Sequence, residues 1–172
     1  TIYNDSQMTD YVNSVDMLSY LWDGQLVMDW QLINSQTDKS GNGLSFEINY
    51  NPTKSSLYSW IDFEYFDKAF DINDVGYLYR NNLKKAQGGI GFYWPELNIY
   101  LPIIEGKVNV NFNKKTNIDN LILNNSVGIS TTTTFNNLWY FSVGYNYFNE
   151  HYDDLLIYNY YYKSNDYVGE KI

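Results

Sequence analysis

Two carboxylates that lie two positions apart are the residues of this sequence with the clearest potential for chemistry. Asp62 and Glu64 belong to a segment of alternating polar and apolar residues, and Glu47 belongs to a similar segment before it. In a β-strand, positions i and i+2 share a face, with Cα atoms about 6.5–7 Å apart. A glycoside hydrolase needs two carboxylates about 5–10 Å apart, one of them kept protonated as the acid. The spacing permits such an enzyme, but acids on a wet strand face have the same spacing.

The composition excludes several other classes of protein. The chain has 172 residues, which suits one domain, and it contains no Cys, one His and three Pro. A disulfide scaffold, a zinc-thiolate site and a cysteine nucleophile are therefore excluded. The net charge of −9 argues against a nucleic-acid partner, which requires a basic surface. We expect no metal and no cofactor.

Alternation with a period of two residues dominates the sequence. The clearest case is the segment 44–51, where Leu44, Phe46, Ile48 and Tyr50 alternate with Ser45, Glu47, Asn49 and Asn51. Such alternation predicts strands with one apolar and one polar face. Further strands are predicted at 25–34, in the segments that begin at residues 57, 121 and 137, and more weakly at 11–20, 87–94, 97–112 and 155–162. Pro102 and Gly106 predict a β-bulge in the long segment 97–112.

The connections between these segments and the position of the aromatic residues favour a membrane protein. Short connections at 22–24, 51–56, 95–96 and 135–137 alternate with longer ones at 35–42, 67–86, 113–119 and 149–154. Short turns at one end and long loops at the other are typical of outer-membrane β-barrels, as are aromatic residues at the strand ends. We therefore predict an all-β fold, namely an antiparallel transmembrane β-barrel fragment of eight or nine strands in up-and-down hairpins. A soluble β-sandwich or lipocalin-like barrel remains the alternative.

The alternation also assigns residues to the two sides of such a barrel. The predicted lumen-facing residues are Glu47, Asn49, Asp62, Glu64, Ser126, Ser130, Ser142 and Asn146. The predicted lipid-facing residues are Leu26, Met28, Trp30, Phe46, Ile48, Ile61, Phe63, Val127, Phe141 and Val143.

A motif in the segment 66–94 carries a family resemblance. It reads Phe70-Asp71-Ile72-Asn73-Asp74-Val75-Gly76-Tyr77-Leu78-Tyr79-Arg80. It resembles the signature Phe-(Glu/Asp)-x-Asn-Asp-aliphatic-Gly-aromatic-x-x-Arg of the domain of unknown function 5916 family. Later runs, Leu138-Trp139-Tyr140-Phe141 and Tyr152-Asp153-Asp154, resemble further landmarks of that family. The sequence departs from the family at Asp67-Lys68-Ala69, which replaces a Ser-Pro-Gly-like entry, and after Asp154.

The resemblance implies a location and an architecture rather than a reaction. Members form the outer-membrane β-barrel part of proteins, often from Bacteroidota, that carry an N-terminal family-9-like carbohydrate-binding module. We accordingly expect residues 1–172 to be part of one barrel domain of a Gram-negative outer membrane, with the leader, the N-terminal module and the closing strands lying elsewhere in a longer protein. The implied signature residues are Phe70, Asp71, Asn73, Asp74, Gly76, Tyr77 and Arg80.

The hypothesis that the sequence favours is a non-catalytic outer-membrane pore, translocator or anchor linked to glycan capture. Its expected partners are outer-membrane lipid, lipopolysaccharide and glycans. Two basic pairs in predicted loops, Lys84-Lys85 and Lys114-Lys115, suit lipopolysaccharide phosphates, although solvated loop tips would look the same. The alternatives are a glycoside hydrolase that uses Asp62 and Glu64, and a soluble sugar-binding β-sandwich whose Tyr and Trp side chains stack on sugar rings.

Overall fold

The computed structural model describes residues 11–36, 39–53, 56–72, 78, 80–95, 102–149, 152–153 and 162–163. Eight antiparallel strands follow one another in sequence order within a single sheet. They are β1 (Tyr11–Leu21), β2 (Leu26–Gln36), β3 (Ser40–Tyr50), β4 (Leu57–Phe66), β5 (Leu83–Pro95), β6 (Ile103–Thr116), β7 (Ile122–Phe135) and β8 (Tyr140–Phe148). Two short strands, β9 (Tyr152–Asp153) and β10 (Tyr162–Lys163), pair with each other.

The sheet confirms the predicted all-β, antiparallel, up-and-down architecture. Among the described residues it is open, because β1 and β8 form its two edges and do not pair with each other. The described strands therefore do not close into a barrel. Within the same residues, no helix is long and apolar enough to cross a membrane.

The register gives the sheet two chemically different faces. Residues that lie directly opposite each other in an antiparallel pair share a face. Glu47 lies opposite Asp29 and Asp62, whereas Ile48 lies opposite Met28 and Ile61. All eight residues predicted to face a lumen fall on the side of Glu47, which we call the polar face. All ten residues predicted to face lipid fall on the side of Ile48, which we call the apolar face.

The two ends of the sheet differ in their connections. At one end, the turn end, β1 joins β2 through a tight turn in which Trp22, Asp23 and Gly24 all have positive φ. Gly24 N–H donates to Leu21 O over 3.1 Å and closes this turn. The opposite end, the loop end, carries the 67–82 connection, the longest between described strands.

The predicted strict alternation of short and long connections is wrong. β2 ends at Gln36 and β3 begins at Ser40, so the loop-end connection expected at 35–42 shrinks to residues 37–39. At these strand ends polar residues lie on both faces, for example Asn34 on the apolar face and Ser35 on the polar face, and such a segment resembles a loop in the sequence. The segment 97–112 also begins later than predicted, at Ile103. Its first residues, 97–101, lie outside the described part of the chain, as does most of 155–162.

The basic pairs were misplaced for the same reason. Lys84 and Lys85 lie at the start of β5, and Lys114 and Lys115 lie near the end of β6, all within strands rather than loops. The two lysines of each pair point to opposite faces, so the sequence shows no alternation of polar and apolar residues at these positions. The predicted bulge in the long strand is confirmed, since the β6–β7 register shifts between Ile103 and Glu105.

Candidate functional site

The polar face carries the two acids that the sequence singled out, together with Lys85, which the sequence placed in a loop. β4 places Asp62 and Glu64 on this face, and β5 places Lys85 opposite Glu64. Lys85 Nζ lies 2.8 Å from Asp62 Oδ2 and 2.9 Å from Glu64 Oε1. Gln87 Nε2 donates a further hydrogen bond to Asp62 Oδ2 over 2.7 Å.

This cluster is largely removed from water. The side chains of Lys85, Asp62 and Glu64 are 12%, 15% and 18% exposed. A half-buried pair of carboxylates with one shared ammonium is a structural ion-pair network, and losing one partner leaves uncompensated charge. Glu47 lies outside the network and instead accepts a hydrogen bond from Asn49 Nδ2. Catalysis by Asp62 and Glu64 stays a prediction.

The signature loop is anchored at the loop end of the polar face. Phe70 is fully buried and stacks on Phe66, with ring centroids 5.0 Å apart and planes 8° from parallel. Together with Leu83 these rings form the core of the described residues. Phe70 can pack directly on β3 because β3 has glycine at positions 41 and 43. A Cβ on Gly41 would overlap the Phe70 backbone, and a Cβ on Gly43 would lie 2.9 Å from the Phe70 ring.

Asp67 fixes the point at which the chain leaves β4 for the loop. Its Oδ2 accepts from Asn42 N over 2.7 Å, and its Oδ1 accepts from Ala69 N over 2.9 Å. Its backbone oxygen accepts from Asn82 N over 3.1 Å, which ties the beginning of the loop to its end. Asp67 therefore supplies a carboxylate that braces the loop.

Of the signature residues, the structure describes Phe70, Asp71 and Arg80. Asp71 N–H donates to Ser35 Oγ over 3.0 Å, so the loop also reaches across to β2. Asn81 Nδ2 donates to the carbonyl oxygens of Lys68 and Phe70 over 3.2 and 3.3 Å. The remaining signature residues, Asn73, Asp74, Gly76 and Tyr77, lie outside the described residues.

A cavity of about 170 Å³ opens on the polar face nearer the turn end. Its lining includes the aromatic side chains of Tyr58 and Trp60 and the polar side chains of Asn109, Asn111 and Ser130. Of these residues, only Ser130 was named from the sequence, as a predicted lumen-facing residue. The glycines at 89 and 91, opposite Trp60 and Tyr58 in the register, were the only local signal, and they became informative once β4 and β5 were paired.

The apolar face exposes many large apolar side chains, whereas the polar face exposes fewer, namely Leu18, Tyr20, Tyr93, Tyr140 and Phe148. Val127 and Ile129 are each 51% exposed, Phe141 is 55% exposed and Val143 is 52% exposed. Further exposed apolar-face residues are Val15, Met17, Leu21, Leu32, Ile61, Ile90, Phe92, Val110, Phe112, Tyr145 and Tyr147. Soluble monomers seldom expose a continuous apolar surface of more than a few hundred Å². Exposed apolar surfaces larger than this are typical of sites of contact with lipid or protein.

Comparison with known proteins gives one match. The model of the domain of unknown function 5916 family matches residues 7–169, nearly the whole chain, and the chain belongs to this family. No curated protein and no solved structure matches significantly.

Proposed function

We propose that this member of the domain of unknown function 5916 family forms part of the wall of a transmembrane β-barrel in a Gram-negative outer membrane. In this role the apolar face contacts lipid hydrocarbon and the polar face borders water inside the barrel. The function is non-catalytic: a pore, a translocator or an anchor that serves glycan capture. The proposal rests on one observation, the exposure of large apolar side chains on the apolar face.

The apolar face has the borders that a membrane requires. At its loop end six of the eight strands turn polar on this face. The residues there are Asn13, Asn34, Asn42, Lys84, Lys114 and Asn125. At its turn end β3 and β5 finish with Tyr50 and Trp94, and the rings of Trp22 and Tyr50 pack edge to face, 6.1 Å apart. Aromatic side chains at the edge of an apolar band are typical of the membrane–water interface.

The height of the band matches a bilayer. On β3 it extends from Asn42 to Tyr50, and on β5 from Lys84 to Trp94. At about 3.4 Å per residue these spans are about 27 and 34 Å along the strand. Strands in outer-membrane barrels tilt by about 35–45°, which reduces the spans to about 21–26 Å across the membrane. The apolar band of known barrels is about 25 Å tall.

The band also runs obliquely to the rows of paired residues, as strand tilt requires. Phe46 is the centre of the band on β3, and its partner on β4 is Phe63, whereas the band centre on β4 is Ile61. The centre shifts by one further residue in the same direction between β4 and β5, because the midpoint of Lys84–Trp94 is residue 89 and Ile61 pairs with Gly88. A barrel closes only if strands tilt and the register is staggered in one direction. A flat, unstaggered sandwich has no need of this offset.

Two lysines lie where lipid headgroups would meet the loop end. Lys84 and Lys114 are on the apolar face just beyond the band, and Lys114 is exposed. In outer-membrane barrels the longer loops lie outside the cell. The loop end would then lie in the outer leaflet. The ammonium group of Lys114 suits the phosphates of lipopolysaccharide, whereas that of Lys84 donates to Ile118 O and Asn120 Oδ1.

The proposal is tested by the solution behaviour of the purified full-length protein. We expect a single monodisperse species in detergent and aggregation once detergent is removed, because the apolar face would then be exposed to water. A protein that stays monodisperse without detergent would contradict the proposal.

Brominated lipids provide a second test with a matched pair of tryptophans. Trp30 lies on the apolar face opposite Phe46, and Trp60 lies on the polar face opposite Asn49. In vesicles whose acyl chains carry bromine, a fraction of the tryptophan emission is quenched. That fraction should fall in Trp30→Phe, because a quenched emitter is lost, and should rise slightly in Trp60→Phe, because an unquenched one is lost. Equal effects of the two substitutions would refute the assignment of the faces.

A further inference from the structure

We infer that the cavity around Trp60 on the polar face is a binding site for a single neutral sugar ring. The inference depends on the proposed function in one respect, since it needs the polar face to border water. It goes further by naming the residues and the class of ligand.

The floor of the site is built from glycines that allow aromatic rings to lie against the sheet. A Cβ on Gly89 would lie 2.9 Å from Trp60 Nε1 and 3.1 Å from Val110 O, so only glycine leaves room for the indole there. A Cβ on Gly91 would overlap the Tyr58 ring. The backbone at both positions has ordinary φ, so close approach rather than conformational freedom explains these glycines.

The aromatic rings are held in place by polar partners. The Tyr58 hydroxyl donates a hydrogen bond to Asn109 Oδ1. Lys107 Nζ lies 5.1 Å from the centroid of the Tyr58 ring, within cation–π range. With its oxygen engaged by Tyr58, the Asn109 amide has its NH₂ group to offer to a ligand.

The lining fits a ligand that is neutral and rich in hydroxyls. No charged side chain lines the cavity, whereas amide and hydroxyl groups are supplied by Asn109, Asn111 and Ser130. Amide groups donate and accept hydrogen bonds, which suits sugar hydroxyls that do both. The negative face of an aromatic ring attracts the weakly positive C–H groups of a pyranose. A charged ligand would find no counter-ion in the lining itself, and the neighbouring ammonium of Lys107 lies over the Tyr58 ring.

The volume limits the ligand to about one ring. The cavity of about 170 Å³ exceeds by more than tenfold the roughly 10–15 Å³ that one water requires. It is smaller than the roughly 300–1,000 Å³ of sites for drug-sized ligands. One ring of a longer glycan fits, while the other rings extend along the polar face.

The test is saturation-transfer difference NMR on the full-length protein in a detergent without a sugar headgroup. The probes are the methyl glycosides of glucose, galactose and N-acetylglucosamine, with glucuronic acid as a charged comparison. We expect saturable binding of at least one neutral glycoside, with a Kd near 1 mM, and no binding of glucuronic acid. No saturable binding of a neutral probe, or preferred binding of glucuronic acid, would overturn the inference.

Substitutions locate the binding in the cavity. Trp60→Ala and Asn111→Ala should each weaken it at least tenfold, and Trp60→Phe, which keeps an aromatic face, should restore part of it. Gly89→Ala should act like Trp60→Ala because its methyl group displaces the indole. Ser126→Ala is the control on the same face, because Ser126 lies on β7 outside the lining of the cavity. Binding that survives in Trp60→Ala and Asn111→Ala would refute the site.

These results are separable from the fate of the barrel proposal. Detergent dependence and lipid quenching report on the apolar face and do not involve the cavity. If the protein needs detergent but binds no neutral sugar, the proposed function stands and this inference is wrong. If the protein is monodisperse without detergent and binds sugar through Trp60, the barrel proposal is wrong and the binding site stands.

Discussion

Arginine placed at successive depths of the apolar face should destabilise the protein by amounts that follow a membrane profile. The apolar-face residues of β3 form a natural series: Phe46 lies at the centre of the band, Ile48 lies two residues from it, and Tyr50 lies at the turn-end border. Two residues along a strand tilted by about 40° correspond to about 5 Å of depth. The series therefore samples the centre, an intermediate depth and the interface of the proposed membrane.

The expected magnitudes come from the cost of a cation in hydrocarbon. Arginine on the lipid face of an outer-membrane barrel costs about 2–4 kcal/mol at the midplane and about 0–1 kcal/mol near the interface. We therefore expect about 2–4 kcal/mol for Phe46→Arg, about 1–3 kcal/mol for Ile48→Arg and less than about 1 kcal/mol for Tyr50→Arg. Each value is taken relative to alanine at the same position, which removes the contribution of the lost side chain.

The assay is reversible urea unfolding of the protein in lipid vesicles, followed by tryptophan fluorescence. Asn49→Arg is the control, because it lies between Ile48 and Tyr50 on the same strand but on the polar face. It should change the free energy of unfolding by less than about 0.5 kcal/mol, as surface substitutions usually do. A flat profile across the three positions, or an equal cost at Asn49, would refute the assignment of the apolar face to lipid.

Two further predictions concern the loop and the ion-pair network, both measured by the same urea assay. Phe70→Ala removes a fully buried ring and should lower the free energy of unfolding by about 3–5 kcal/mol. Gly41→Ala should also release the loop, because its methyl group would overlap the Phe70 backbone. If either variant were as stable as the parent protein, the described packing would be contradicted. Lys85→Met removes the ammonium group that Asp62 and Glu64 share, and it should lower the free energy of unfolding by about 3 kcal/mol. Combining it with Asp62→Asn and Glu64→Gln should recover most of that loss. A combined variant no more stable than Lys85→Met would show that the charges are not coupled.

The sequence was sufficient to predict the strands and the two faces. Alternation within a strand is a local property, because the pleat sends successive side chains to opposite sides whatever the strand pairs with. Phe46 and Glu47 could therefore be assigned to opposite faces before any partner strand was known. The family signature from Phe70 to Arg80 was also recognisable, since a motif is read along the chain.

Strand ends were predicted less well, and the reason is chemical. Asn34, Asn42 and Lys84 lie on the apolar face beyond the edge of the band, where polar side chains interrupt the alternation although the strand continues. Periodicity records which side chains meet an apolar surface, and it stops at the border of that surface rather than at the end of the hydrogen-bonded ladder. The connection 37–39 was consequently predicted to be too long.

The contacts that give the polar face its chemistry depended on the tertiary structure. Lys85 is 21 residues from Glu64, and Asn109 is 51 residues from Tyr58. Only the register of β4, β5 and β6 brings these side chains together, and a change of register by one residue would turn each of them to the opposite face. The pleat of a single strand decides on which face a side chain lies, but the pairing of strands decides which side chains it meets there.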